Sequence, residues 1–367
     1  MADPRVEKLA QTLVEYSVKV KPGDWVVIAS NPLAEELTSE VLRYTLRAGG
    51  NPSMLLGVGS TQPIFLEEAN EEQLKWLSPF DHLPFEQADV YINIDATENT
   101  RNLSMVDSQK QQTRSAARRE IMQAYMRRSA SGELRWTLTQ FPCQAFAQEA
   151  DMSQADYADF VYRACKADQP DPVTLWNEIE ADQARLVQWL AGRKQLHIRG
   201  ANVDIQMSIE GRSFVNSTAH HNMPGSEIFT GPVEDSVNGW VHYTYPAIRM
   251  GREVEGIRLQ FKDGKVIQAS AEKNEEYLLK MLDQDAGARF LGELGIGTNY
   301  SIDRFTKSIL YDEKMGGTIH MALGASYPET GGKNQSALHW DMICDMRQDS
   351  EITVDGDLFY KNGQFQV

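Results

Sequence analysis

Pro22-Gly23-Asp24-Trp25-Val26-Val27-Ile28-Ala29-Ser30-Asn31-Pro32 is the stretch that decides the fold of the first half. Pro22-Gly23 reads as a turn, and the apolar run at 25–29 behind it as a buried strand. Asn31 then offers a cap and Pro32 a pre-set φ, so a helix starts here. Leu37, Val41, Leu42 and Leu46 carry that helix forward, and Gly49-Gly50 stops it. Upstream, Val6, Leu9, Leu13 and Val18 are close to helical spacing and predict a helix over 4–18. Downstream, residues 53–56, 90–94 and 135–139 predict three more strands, with a long helix bearing Arg114, Arg118 and Arg119 before the last. Strands separated by helices imply right-handed crossovers and a mostly parallel sheet. The first βα turn, Ala29-Ser30-Asn31-Pro32, holds no glycine for a phosphate to approach. Gly57-Val58-Gly59 is a weak signal, and no clear glycine-led helix follows it. This half is therefore expected to be scaffold or interface rather than a cofactor site.

The grammar changes after the proline- and aspartate-rich turn at 167–172. A helix is expected from about 173 to 190, and beyond Gly192 the pattern becomes β. Short alternating runs at 196–199, 203–209 and 256–261 are separated by turns, with a helical interruption at 271–285. Asp263-Gly264 and Asn362-Gly363 are strong hairpin signals. The expected architecture is an α/β scaffold domain over 1–190 and a β-rich α+β domain over 191–367. The first holds a mostly parallel sheet with helices. The second holds a mostly antiparallel sheet or partial barrel that carries the chemistry.

Of the 367 residues, 41% are hydrophobic and 24% charged, which is ordinary globular composition. No apolar run approaches the ~18–20 residues of a membrane span, and the charged amino terminus has no signal-peptide core. A cytoplasmic protein with no membrane partner is expected. Cys143, Cys165 and Cys344 lack CxxC spacing, so reduced buried thiols are expected rather than disulfides or a zinc knuckle. The net charge of −16, from 52 acidic and 36 basic residues, repels phosphate backbones and argues against a nucleic-acid partner.

The candidate chemistry lies in the second half. In Ala337-Leu338-His339-Trp340-Asp341-Met342, strand alternation puts His339 and Asp341 on one face and Leu338, Trp340 and Met342 on the other. An imidazole beside a carboxylate suits a metal, although a hydrogen-bonded His–Asp pair within a sheet is an equal reading. In Thr318-Ile319-His320-Met321-Ala322-Leu323, His320 shares its face with small Thr318 and Ala322, which leave room beside the ring. Glu293, in Leu291-Gly292-Glu293-Leu294-Gly295, is a carboxylate in an apolar strand, costly unless paired or metal-bound. Glu227 is presented by the stiff, proline- and glycine-bracketed run 222–232 and by itself reads as a loop acid on the surface. Tyr327 by itself reads as packing. His220-His221 and Arg249 with Arg252 are secondary candidates, for lining the site and for a substrate carboxylate.

Taken together and in order, the run at 222–232 with Glu227, Leu291-Gly292-Glu293, the 319–324 strand with His320, Tyr327, and the 337–341 strand with His339 and Asp341 resemble the thermophilic aminopeptidases. This is the aminopeptidase T and aminopeptidase S family of metallopeptidases. The resemblance covers the second half by its motifs and the first half by general pattern, including the segment from Leu13 to Asp24. It implies that Glu227, Glu293, His320, His339 and Asp341 bind two divalent metal ions per chain, Zn²⁺ or Co²⁺ ahead of Mn²⁺ or Mg²⁺. It also implies that Tyr327 lies in the catalytic site; a phenol there can donate to the oxyanion formed when activated water attacks the peptide carbonyl. Which ligand holds which ion, and which group is the general base, stays open. The implied substrates are short peptides with a free amino terminus, and the implied assembly is a homodimer. The chain is shorter than the resemblance leads one to expect, with no ligand motif lost. Two other functions share these residues: a catalytically silent peptide-binding homologue, and a metallohydrolase of a non-peptide amide.

Overall fold

A computed structural model describes residues 3–367, which form two compact units. One comprises the chain up to Trp176 with Ala219–Pro224, the other Asn177–Thr218 with Gly225–Val367.

The first unit is built on a five-stranded, wholly parallel sheet. Its strand order is Asn51–Leu56, Trp25–Ser30, Val90–Asp95, Arg135–Gln140, Asn222–Met223. Val26, Val27, Ile28, Val90 and Ile92 are buried, as strands covered by crossover helices must be. Asn31 caps as expected, accepting from the Leu33 amide, and a short 3₁₀ turn at Pro32–Ala34 leads into the helix Glu35–Arg47. Three local readings differ. The opening helix Pro4–Gln11 continues as a wider π turn, Thr12–Ser17. The single long helix is two, Ser108–Ala117 and Arg119–Ala130, because Arg118 (ψ 2°) leaves helical geometry between them. A helix does follow Gly57-Val58-Gly59, at Thr61–Glu68, with Pro63 in its first turn, where its missing N–H costs nothing. A cavity of about 610 Å³ at the carboxyl ends of the first three strands is lined by Asn31, Asn93 and Asp95 but by no lysine or arginine. The outer strand Asn51–Leu56 is exposed along most of its length, Leu56 to 58%.

The second unit contains two larger antiparallel sheets. An eight-stranded one runs from Lys265–Ser270 at one edge to Gln364–Phe365 at the other. The second is five-stranded, in the order His339–Asp345, Thr318–Gly324, Leu291–Gly297, Glu227–Thr230, Val215–Ser217. Ile205 and Leu259 from the large sheet share one apolar core with Leu294, Met321 and Met342 from the small one. Both hairpins form where the dipeptides predict them, with Asp263-Gly264 and Asn362-Gly363 at positive φ, as this turn demands. All three cysteines are free and buried. Among the described residues no helix is long and apolar enough to cross a membrane.

Candidate metal centre

Strand register gathers the site on the face of the small sheet turned away from that core. Ala322 pairs with Glu293 on one side and Asp341 on the other, so a methyl group separates two carboxylates in one row. In the next row His320 pairs with Gly295 and Ile343. Gly295 is indispensable there: a Cβ on it would lie 2.0 Å from the His320 ring. Leu338, Trp340 and Met342 are buried in the core, as alternation requires, leaving His339 and Asp341 on the opposite face.

Glu227 is not a surface loop acid. It is the first residue of the strand Glu227–Thr230 and is 5% exposed. Ser226, immediately before it, sits at φ +93°, a strained conformation for a non-glycine residue. The surroundings hold it there: the Ser226 amide donates to the Ser217 carbonyl at 2.9 Å, and the Thr298 amide donates to the Ser226 carbonyl at 3.0 Å. Buried Gln183 donates to the Glu227 carbonyl at 3.1 Å. The turn therefore aims the carboxylate inward.

The five carboxylate and imidazole side chains meet. His320 Nε2 lies 3.4 Å from Glu227 Oε2 and 3.6 Å from Glu293 Oε1. His339 Nε2 lies 3.3 Å from Glu293 Oε2 and 3.6 Å from Asp341 Oδ2. Glu293 thus directs one oxygen to each imidazole. His339 Nδ1 donates to the Ala325 carbonyl at 3.0 Å, which sets the tautomer and turns Nε2 inward. Burial pushes the Glu227 carboxyl up to about 7 and that of Asp341 up to about 6. Burial acts the same way on Glu293, but hydrogen bonds from both histidines outweigh it and hold this carboxyl at about 2. Burial lowers His339, yet Glu293 and Asp341 overcome it and raise the imidazole to about 9. Tyr327 packs edge-on against His339, ring centroids 5.2 Å apart, and burial raises its phenol well above the ordinary value, so it stays protonated.

Two further residues join this cluster that the sequence reading passed over. Glu313 forms a three-donor group with His320 and Asp341, and Glu293, His339 and Asp341 form another, the donor atoms of each group lying within 4.8 Å of one another. Lys314 is fully buried, bonded to the Glu313 carboxylate and 3.6 Å from Glu227. Asp312-Glu313-Lys314 looks like an ordinary solvated charge run, and only its place at the end of the short helix Ile309–Asp312, buried from Leu310 on, reveals otherwise. The secondary candidates have other partners. In the first unit His220 stacks on Tyr16, and His221 packs at a tilt against Trp136. Arg249 donates to the main-chain carbonyl of His339 at 2.7 Å, and Arg252 lies over the Tyr277 ring.

This donor set fits divalent metal ions. Four carboxylates share one largely buried space with two imidazoles and a single ammonium. Glu227 Oε2, Asp341 Oδ1 and His320 Nδ1 are buried without a hydrogen-bond partner. Buried acids in this number are costly unless cations neutralise them, and mixed carboxylate and imidazole ligation suits zinc, cobalt and manganese.

Comparison with known proteins agrees. The family model for the thermophilic metalloprotease (M29) matches residues 2–365. Aminopeptidase 2 of Geobacillus stearothermophilus is 26% identical, the match covering 96% of this chain and 94% of the relative. Aminopeptidase T of Thermus thermophilus is 29% identical over 55% of each chain. The solved structure of wild-type AmpT from Thermus thermophilus superposes with a TM-score of 0.86 over 99% of both chains at 22% identity, so the fold is the same. By this match along nearly its whole length, the chain belongs to the thermophilic metalloprotease (M29) family.

Proposed function

We propose that this protein is a metal-dependent aminopeptidase that removes the amino-terminal residue from short peptides at a dinuclear centre held by Glu227, Glu293, His320, His339 and Asp341. The observation that carries the reading is Glu293, which directs one carboxylate oxygen to each of the two histidines. That is the disposition of a bridging ligand, with Asp341 common to both donor groups. Relatives named as aminopeptidases over nearly the whole chain support the exopeptidase activity. Bound divalent ions supply Lewis-acid polarisation of the carbonyl and a lowered pKa for water. The protein's own part is to hold the ligands in register. Ala325 fixes the His339 tautomer, and Gln183 and Ser226 aim Glu227. The protonated Tyr327 phenol donates to the oxyanion as it develops. Zn²⁺ or Co²⁺ is the expected metal, and the cytoplasm, where the three thiols stay reduced, the expected compartment.

Exhaustive chelation is expected to abolish hydrolysis of amino-acid p-nitroanilides, and added Zn²⁺ or Co²⁺ to restore it. Full turnover by protein verified as metal-free would refute the assignment.

The expected assembly is a homodimer. Its support is the edge strand Asn51–Leu56, which leaves Met54, Leu55 and Leu56 in solvent although parallel strands are normally covered. Light scattering from nanomolar to micromolar protein tests this, and a stable monomer throughout would overturn it.

A further inference from the structure

We infer that Lys314 makes the two halves of the donor set unequal, so that one divalent ion is bound tightly and the other weakly. This rests on the ligand assignment proposed above, with Glu313 added as a neighbour of His320 and Asp341. In the first half, Glu293 with His339 and the shared Asp341, no lysine or arginine side chain is within ion-pair distance among the described residues. The second half, Glu313 with His320 and Asp341 and with Glu227 alongside, contains one. The Lys314 side chain is 0% exposed, its ammonium bonded to Glu313 and 3.6 Å from Glu227 Oε1.

A histidine beside a carboxylate can turn a lone pair to a metal. An ammonium has three donors and no acceptor, so it cannot ligate while charged and only competes for the same oxygens. Lys314 therefore does for Glu227 and Glu313 part of what a cation would do. It keeps the metal-free site from flying apart by mutual repulsion, and it weakens the pull of those two carboxylates on an arriving ion. A unit charge a few ångströms from a divalent ion in a protein interior is enough to change affinity by at least about tenfold.

The test is a Zn²⁺ titration of the chelator-stripped full-length protein, read by calorimetry with a competing chelator and by elemental analysis. Wild type is expected to take up two equivalents in separate steps, with affinities at least about tenfold apart. Lys314→Met is expected to tighten the weak step at least about tenfold and leave the tight step unchanged, and Lys314→Arg to preserve the separation. Glu227→Gln identifies the steps, because it should affect only the weak one. Two equivalents of equal affinity in wild type would overturn the inference without the need for any variant. Loss of one equivalent in Lys314→Met would overturn it too, since Lys314 would then be a neutral ligand or a structural peg. Absence of zinc binding in every version would overturn the metal centre itself, and this inference with it.

Discussion

Glu293→Ala is expected to remove both metal ions and to lower hydrolysis by more than about 100-fold while the second unit remains folded. Glu293 is 5% exposed on the central strand of the small sheet, with its two oxygens 3.6 Å and 3.3 Å from His320 and His339. Asp341 also belongs to both donor groups, but among the described residues Glu293 alone lies within ion-pair distance of both imidazoles, so its loss disables both halves of the centre together. The fold survives because truncation deletes one of several crowded acids, and the core packs from the opposite face, through Leu294 and Ile296. Tyr327→Phe provides the contrast. It should keep both ions and lose about 10²–10³ in kcat with little change in KM, since a donor to the oxyanion acts only in the transition state. Elemental analysis with steady-state kinetics separates the two patterns. Two ions per chain in Glu293→Ala would contradict the bridging role, and unimpaired turnover in Tyr327→Phe would return the tyrosine to packing.

Gly295→Ala is expected to be nearly as damaging although it alters no ligand. The new methyl carbon would stand 2.0 Å from Cε1 and Nε2 of His320, far inside contact distance. His320 is 1% exposed, so the ring has nowhere to retreat without leaving the carboxylates. Overpacking of this kind costs about 1–3 kcal/mol in stability. Its effect on chemistry should be larger, because ligand geometry tolerates only about half an ångström of error. Gly59→Ala is the control, since a Cβ there meets nothing within 4 Å. Normal zinc content and activity in Gly295→Ala would show that His320 does not need the space this glycine leaves.

Much of this was legible in the chain because it depends on local periods. The parallel sheet followed from strand, cap, helix and stop between Trp25 and Leu56. The shared face of His339 and Asp341 followed from alternation with Leu338, Trp340 and Met342, and both hairpins from Asp-Gly and Asn-Gly. Where local signals misled, backbone geometry over a few residues was responsible, as at Arg118, where one residue outside helical ψ divides a helix that composition made continuous.

The centre's environment was decided by tertiary structure alone. Whether a carboxylate is buried depends on partners remote in sequence. Gln183, 44 residues away, anchors Glu227, and the Thr298 amide secures the strained Ser226 beside it. The same applies to Glu313 and Lys314, whose charge run is indistinguishable from a solvated surface until folding sets it against Glu227 and His320. Alternation says which side of a strand a residue takes. Only the packed chain says what stands on that side, because desolvation and charge pairing act through space and leave no period in the sequence.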